Sequence, residues 1–150
     1  MSTTVTAVNS ERDRSLVPSL IAGGIAGLGG GVVFGIMMAM MGMLPMVAML
    51  IKSQSAFIGF LVHMVISTGI GGFYGLVAHR LPKAIGTAIV AGAVNGVVWW
   101  VLGALILMPL LLGMGDMVLR IGQAQWLSLV GHLIYGIVTG LLFIPVSKRL

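Results

Sequence analysis

The chain has 150 residues and a net charge of +5, with 59% of positions hydrophobic and 7% charged. Soluble domains carry charge on roughly a quarter of their residues, so this chain lacks the polar surface to be one. It contains no cysteine, which excludes disulfides, thiol catalysis and thiolate metal sites.

Residues 1–16, MSTTVTAVNSERDRSL, are polar and are expected to form a cytoplasmic tail, disordered at its start. They lack the short apolar core and small-residue cleavage site of a secretory signal. Residues 17–150 are expected to form one domain, an all-α bundle of four transmembrane helices. Its apolar stretches run over 20–44, 56–78, 84–112 and 126–146, each long enough to cross a bilayer.

The first stretch carries Gly23, Gly27, Gly31 and Gly35, every fourth residue and therefore one face of a helix. A dinucleotide loop needs a different spacing, and Val32 and Phe34 stand where its last glycine would fall. Between helices in lipid, small residues on one face let backbones approach closely, so the row is read as a glycine zipper. The helix then runs into MMAMMGMLPMVAML, with Met40, Met43, Met46 and Met49 three apart. The second stretch places Gly59, His63, Ser67, Gly71 and Gly75 on one face, and the third places Ala88, Gly92 and Gly96 there, followed by Trp99 and Trp100. Residues 113–125 are expected to form an outer loop with a short interfacial helix, in which Asp116 and Arg120 make a solvated pair. Trp126 anchors the fourth stretch, whose face carries Ser128, His132, Gly136 and Gly140.

The halves repeat. A shift of 69 residues lays His63 on His132 and Gly71 on Gly140, and a shift of 65 lays Gly27 and Gly31 on Gly92 and Gly96. Pro45 and Pro109 mark corresponding places one residue out of register. The expectation is a parallel duplication of a two-helix hairpin, with repeats of about 17–81 and 82–150, related by an axis along the membrane normal. Arg12, Arg14, Arg80, Lys83, Lys148 and Arg149 fall on one side of this topology, and only Lys52 and Arg120 on the other. That asymmetry places both termini in the cytoplasm. Charge arranged this way serves orientation and anionic lipid, and nucleic acid is excluded as a partner.

Small residues occupy the cytoplasmic half of every helix, so a tight inner half and a looser outer half are expected. His63 and His132 each lie about seven residues into their helices, about 10 Å deep at the rise of an α-helix. They are expected to face each other across the axis, in a cavity or bulky layer lined also by Trp100, Met40 and Met43. Such a pair suits axial ligation of haem b, Cu(I) held with thioethers, or a lipid- or quinone-like molecule. The plainer alternative is packing, since methionine fills irregular gaps and a buried neutral histidine donates to a carbonyl one turn back or pairs with Tyr74, Tyr135 or Asn95. The only acids, Glu11, Asp13 and Asp116, lie outside the spans, which argues against enzyme chemistry and ion-coupled transport.

From the second stretch onward, VHMVISTGIGGFYGLVAHRLPK at 62–83, the Gly/Ala helix from Gly86, Pro109, and GHLIYGI from Gly131 carry a resemblance. The chain resembles the YagU-like family of small bacterial inner-membrane proteins over about two-thirds of its length, with His63, His132, Tyr74, Pro82 and Gly131 matching. The resemblance implies the topology, the bacterial inner membrane and the two histidines, with at most a loose link to acid tolerance and no assigned chemistry. The methionine-rich end of the first helix departs from it. The leading expectation is a non-enzymatic accessory, packing or assembly component of a larger membrane complex, through other subunits or self-association. The alternatives are a ligand-binding membrane protein and a small-solute channel or exporter.

Overall fold

A computed structural model describes residues 2–150, with side chains from residue 16 onward. Helix α1 runs Ser2–Met40, followed by the short α2, Leu44–Ala48, and a 3-10 turn, Met49–Ile51. Helix α3 spans Ala56–Ala78. Helix α4, Ile85–Trp99, continues through a π-helical segment, Trp100–Leu107, into α5, Met108–Leu111. After a 3-10 turn at Gly115–Met117 comes α6, Gln123–Ser147. No strand occurs among the described residues. Four helices are long and apolar enough to cross a membrane: Leu16–Met40, Ala56–Ala78, Ile85–Leu111 and Gln123–Ser147. The helical backbone of α1 thus begins within the segment expected to be disordered, and the side chains of residues 1–15 lie outside the described ones.

The first span stops at Met40, short of the expected 44, because Gly42 turns into the left-handed region with φ of +67°. The N–H of Met43 then reaches the Met38 carbonyl at 2.9 Å and that of Gly42 the Ala39 carbonyl at 3.2 Å, the Schellman closure of a helix end. The third span closes the same way at Gly113, φ +72°, with Met114 N–H on Pro109 O at 2.8 Å and Gly113 N–H on Leu110 O at 3.1 Å. The prolines are not equivalent. Pro45 follows its glycine cap and opens α2, whereas Pro109 precedes its cap and sits inside the third span. Having no N–H, Pro109 leaves the Leu105 carbonyl, one turn back, without its helical donor. The N–H of Leu119 supplies one from the following loop at 3.0 Å, so this carbonyl is not stranded. The expected interfacial helix in that loop is only the three-residue turn at Gly115–Met117.

Two antiparallel hairpins make the bundle, α1 with α3 and α4 with α6. Both are closed by glycine. A Cβ on Gly23 or Gly27 would fall on the backbone of Gly71, Gly75 or Ser67, and one on Gly71 or Gly75 would fall back on α1. Gly92 and Gly96 meet the backbone of Gly136 and His132 in the same way, and Gly140 that of Ala88. Gly31 meets the Ser67 side chain and Gly35 the ring of Phe60. The hairpins join along one seam, α1 against α6, where Gly30 lies on Tyr135 and Thr139, and Gly131 on the Phe34 ring. A strict two-fold would repeat this seam between α3 and α4, but those helices barely touch. The bundle is closed on one side and open on the other.

Tyr135 adds a polar tie across the closed side, its hydroxyl donating to the Ser67 carbonyl at 2.6 Å. Interhelical hydrogen bonds in membranes contribute about 1 kcal/mol, so Tyr135→Phe is expected to lower stability by that amount, read from unfolding in mixed micelles. A loss well above the typical range would mean that the hydroxyl supports more than this one bond.

Candidate functional site

The helices alternate in direction, so both termini lie at one end of the bundle and the connections 41–55 and 112–122 at the other, here the distal end. The backbone-to-backbone glycine contacts between the paired helices concentrate in the terminal half, while Gly35, Gly59 and Gly131 meet Phe60, Leu44 and Phe34 toward the distal end. Toward the distal end the buried side chains become Phe34, Met38, Leu44 and Val47, and a cavity of about 350 Å³ opens beside them.

Three local features shape it. The Gly42 cap turns the chain so that Met43, and Met46 and Val47 of α2, which packs against α3, reach the cavity. The π-helical segment places Gly103, Ala104 and Leu107 on the facing wall, and a single extra residue per turn is a common device at functional sites. Helix α6 contributes Ser128 and His132. Ile66 of α3 and Leu107 and Leu111 of the third span line the cavity and are themselves exposed on the outside of the bundle, so its mouth is the gap between those spans. No charged side chain is among the lining residues, and the polar ones are few: Gln125, Ser128 and His132, with the Trp99 indole.

The two histidines are placed differently. His63 is buried and its Nε2–H donates to the Gly31 carbonyl at 3.0 Å, with Ser67 Oγ at 3.4 Å. It does not line the cavity. His132 lines it, and its Nδ1–H donates to the Ser128 carbonyl one turn back at 2.8 Å. A carbonyl only accepts, so Nδ1 carries the proton and Nε2 is the bare acceptor nitrogen. The rings do not face each other across open space. Phe34 packs edge-on against both, with ring centroids 5.3 Å from His63 and 4.9 Å from His132.

That arrangement does not fit a haem held by two histidines. Phe34 packs edge-on against both rings, and His63 Nε2, one of the two nitrogens needed, is spent on a backbone carbonyl. That engagement counts equally against the pair as joint ligands for copper. Among the described residues no group of three His, Cys, Asp or Glu gathers around one point. Of the other residues expected at the site, Met43 lines the cavity, while Met40 is 82% exposed and does not. Trp100 is buried elsewhere, its Nε1–H donating to the Gln125 carbonyl at 3.0 Å and its ring stacked on Trp126. Its neighbour Trp99 is the indole that lines the cavity.

Sequence reasoning missed Met38, Met46, Met108 and Trp99. The signal available for Met46 was Gly42: a left-handed cap there rotates everything after it off the face of the first span. No protein-family model, curated protein or solved structure matches the chain.

Proposed function

We propose that this chain is a non-enzymatic, four-span protein of the bacterial cytoplasmic membrane that holds a neutral, apolar molecule in its distal cavity, taken from the lipid through the gap between α3 and α4. The carrying observation is the cavity itself. Its volume of about 350 Å³ lies in the range of small-molecule sites, and like them it is mainly apolar with a few polar groups. The excess of basic residues near the termini supports both termini in the cytoplasm, which makes the cavity half the outer one. The glycine rows act as zippers that seal the cytoplasmic half, an arrangement suited to holding a molecule and unsuited to passing a solute through. The repeated Gly and His spacing supports an origin by duplication of a hairpin, with the open α3–α4 side as the later departure.

An accessory role in a larger complex draws less support from this geometry. The glycine faces that would suit docking to another subunit are turned inward and already in contact.

The test is saturable binding of a neutral fluorescent apolar probe to protein in nanodiscs. Ala104 lines the cavity, and nothing lies within 4 Å of a Cβ built on the adjacent Gly103, so a larger side chain is accommodated there. Ala104→Phe or Gly103→Phe is expected to remove probe binding while helicity and thermal stability stay as in the parent. Undiminished binding to both variants would overturn the reading.

A further inference from the structure

We infer that the molecule held in the cavity is an aromatic ring bearing a hydroxyl group, a phenol or quinol head, whose O–H donates to Nε2 of His132; this rests on the cavity binding proposed above. Charge is the first criterion. No Lys, Arg, Asp or Glu lines the cavity, and an ion without a partner is expensive in such surroundings, which removes phosphate, carboxylate and ammonium ligands. Size comes next. An engineered cavity of about 150 Å³ in another protein accepts benzene, so about 350 Å³ takes a substituted ring with room for a short tail.

The lining then favours a ring over an alkyl chain. Met38, Met43, Met46 and Met108 bring four thioethers to the cavity, with Phe34 and the Trp99 indole beside them. Sulfur and ring edges interact favourably with aromatic faces, and methionine adapts to a flat guest without a fixed shape.

The polar end is decided by His132. Its Nδ1–H is committed to the Ser128 carbonyl at 2.8 Å, and Nε2 has no partner among the described residues. Gln125 has its Oε1 engaged by the Gly122 N–H at 2.9 Å, so His132 Nε2 is the free acceptor that a guest would meet. A guest that brings a donor satisfies it. Set against this nitrogen, a ketone, ether or quinone brings only acceptors and leaves two lone pairs opposed; the donors among the lining residues include the unpaired Trp99 Nε1–H and the Gln125 amide. Discrimination between a hydroxylated ring and its capped counterpart therefore rests on contact with His132 Nε2.

The experiment compares 4-propylphenol with 4-propylanisole, which share a ring and tail and differ in the O–H, by tryptophan fluorescence in nanodiscs, with Ala104→Phe as the baseline for partitioning into lipid. Wild-type protein is expected to bind the phenol about tenfold more tightly, the usual worth of one hydrogen bond in an apolar site. His132→Leu is expected to keep the anisole affinity and lose the preference. A second measurement needs no variant: the ¹⁵N resonance of His132 Nε2 is expected to move toward that of a hydrogen-bonded nitrogen with the phenol and to stay put with the anisole. Equal affinities for the two compounds, or a preference that survives in His132→Leu, would overturn the hydroxyl assignment while leaving the cavity reading standing. Binding of neither compound above the Ala104→Phe baseline would overturn both.

Discussion

Gly71→Val is expected to abolish the folded bundle, whereas Gly69→Val, two residues away on the same helix, leaves stability within about 0.5 kcal/mol of the parent. The contrast is a matter of what each new side chain meets. A Cβ on Gly71 falls on the carbonyl of Gly23 and on Gly27 Cα, both backbone atoms of α1 that no rotamer change can move. The whole hairpin would have to separate, which also strips contact from Gly27, Gly23 and Gly75. Overpacked cores with flexible neighbours lose about 1–3 kcal/mol, and this position lies at or beyond the top of that range. A Cβ on Gly69 finds nothing within 4 Å. Unfolding of both variants in mixed micelles, with the folded fraction after purification, reads the difference. Similar behaviour of the two would mean that glycine contacts do not hold α1 to α3.

Phe34→Ala carries the second large effect, a loss of about 3–5 kcal/mol with an enlarged cavity. The ring does three jobs at once. It lies on Gly131 along the α1–α6 seam, it separates His63 from His132, and it forms part of the cavity wall. Truncation therefore loosens the main seam that joins the hairpins. The reciprocal change tests the same contact from the other side. Gly131→Ala places a methyl on the Phe34 ring and destabilises alone, but combined with Phe34→Leu it should cost less than the sum of the two. Strict additivity in that cycle would show that ring and glycine do not depend on each other.

The spans were legible because nothing but a membrane explains four apolar runs of this length. Their ends were less so. Composition continues apolar through Gly42 and Pro45, so hydropathy alone carries the first span past the residue whose backbone actually ends it. The π-helical segment left no trace in the pattern beyond Pro109, whose missing N–H shows its consequence only when Leu119 is seen to answer it. The spacing of small residues located His63 and His132 on inward faces. What it could not supply was the side chain from a third helix that stands between them. Phe34 lies off the Gly23–Gly35 row and belongs to a different interface, α1 with α6, which no single-helix periodicity encodes.

The one-sided seam gives the molecule the mechanics of a book. The two hairpins are stiff boards, each bound internally by backbone contact at glycine, and α1 with α6 forms the spine. Opening or closing such a book changes the angle between the boards without lifting a page from either. The cavity lies between the boards, with α1 and α6 lining its inner side and α3 and the third span its outer side, so its width follows that angle. On the binding reading proposed above, the breadth of guest the cavity takes is set at this one spine.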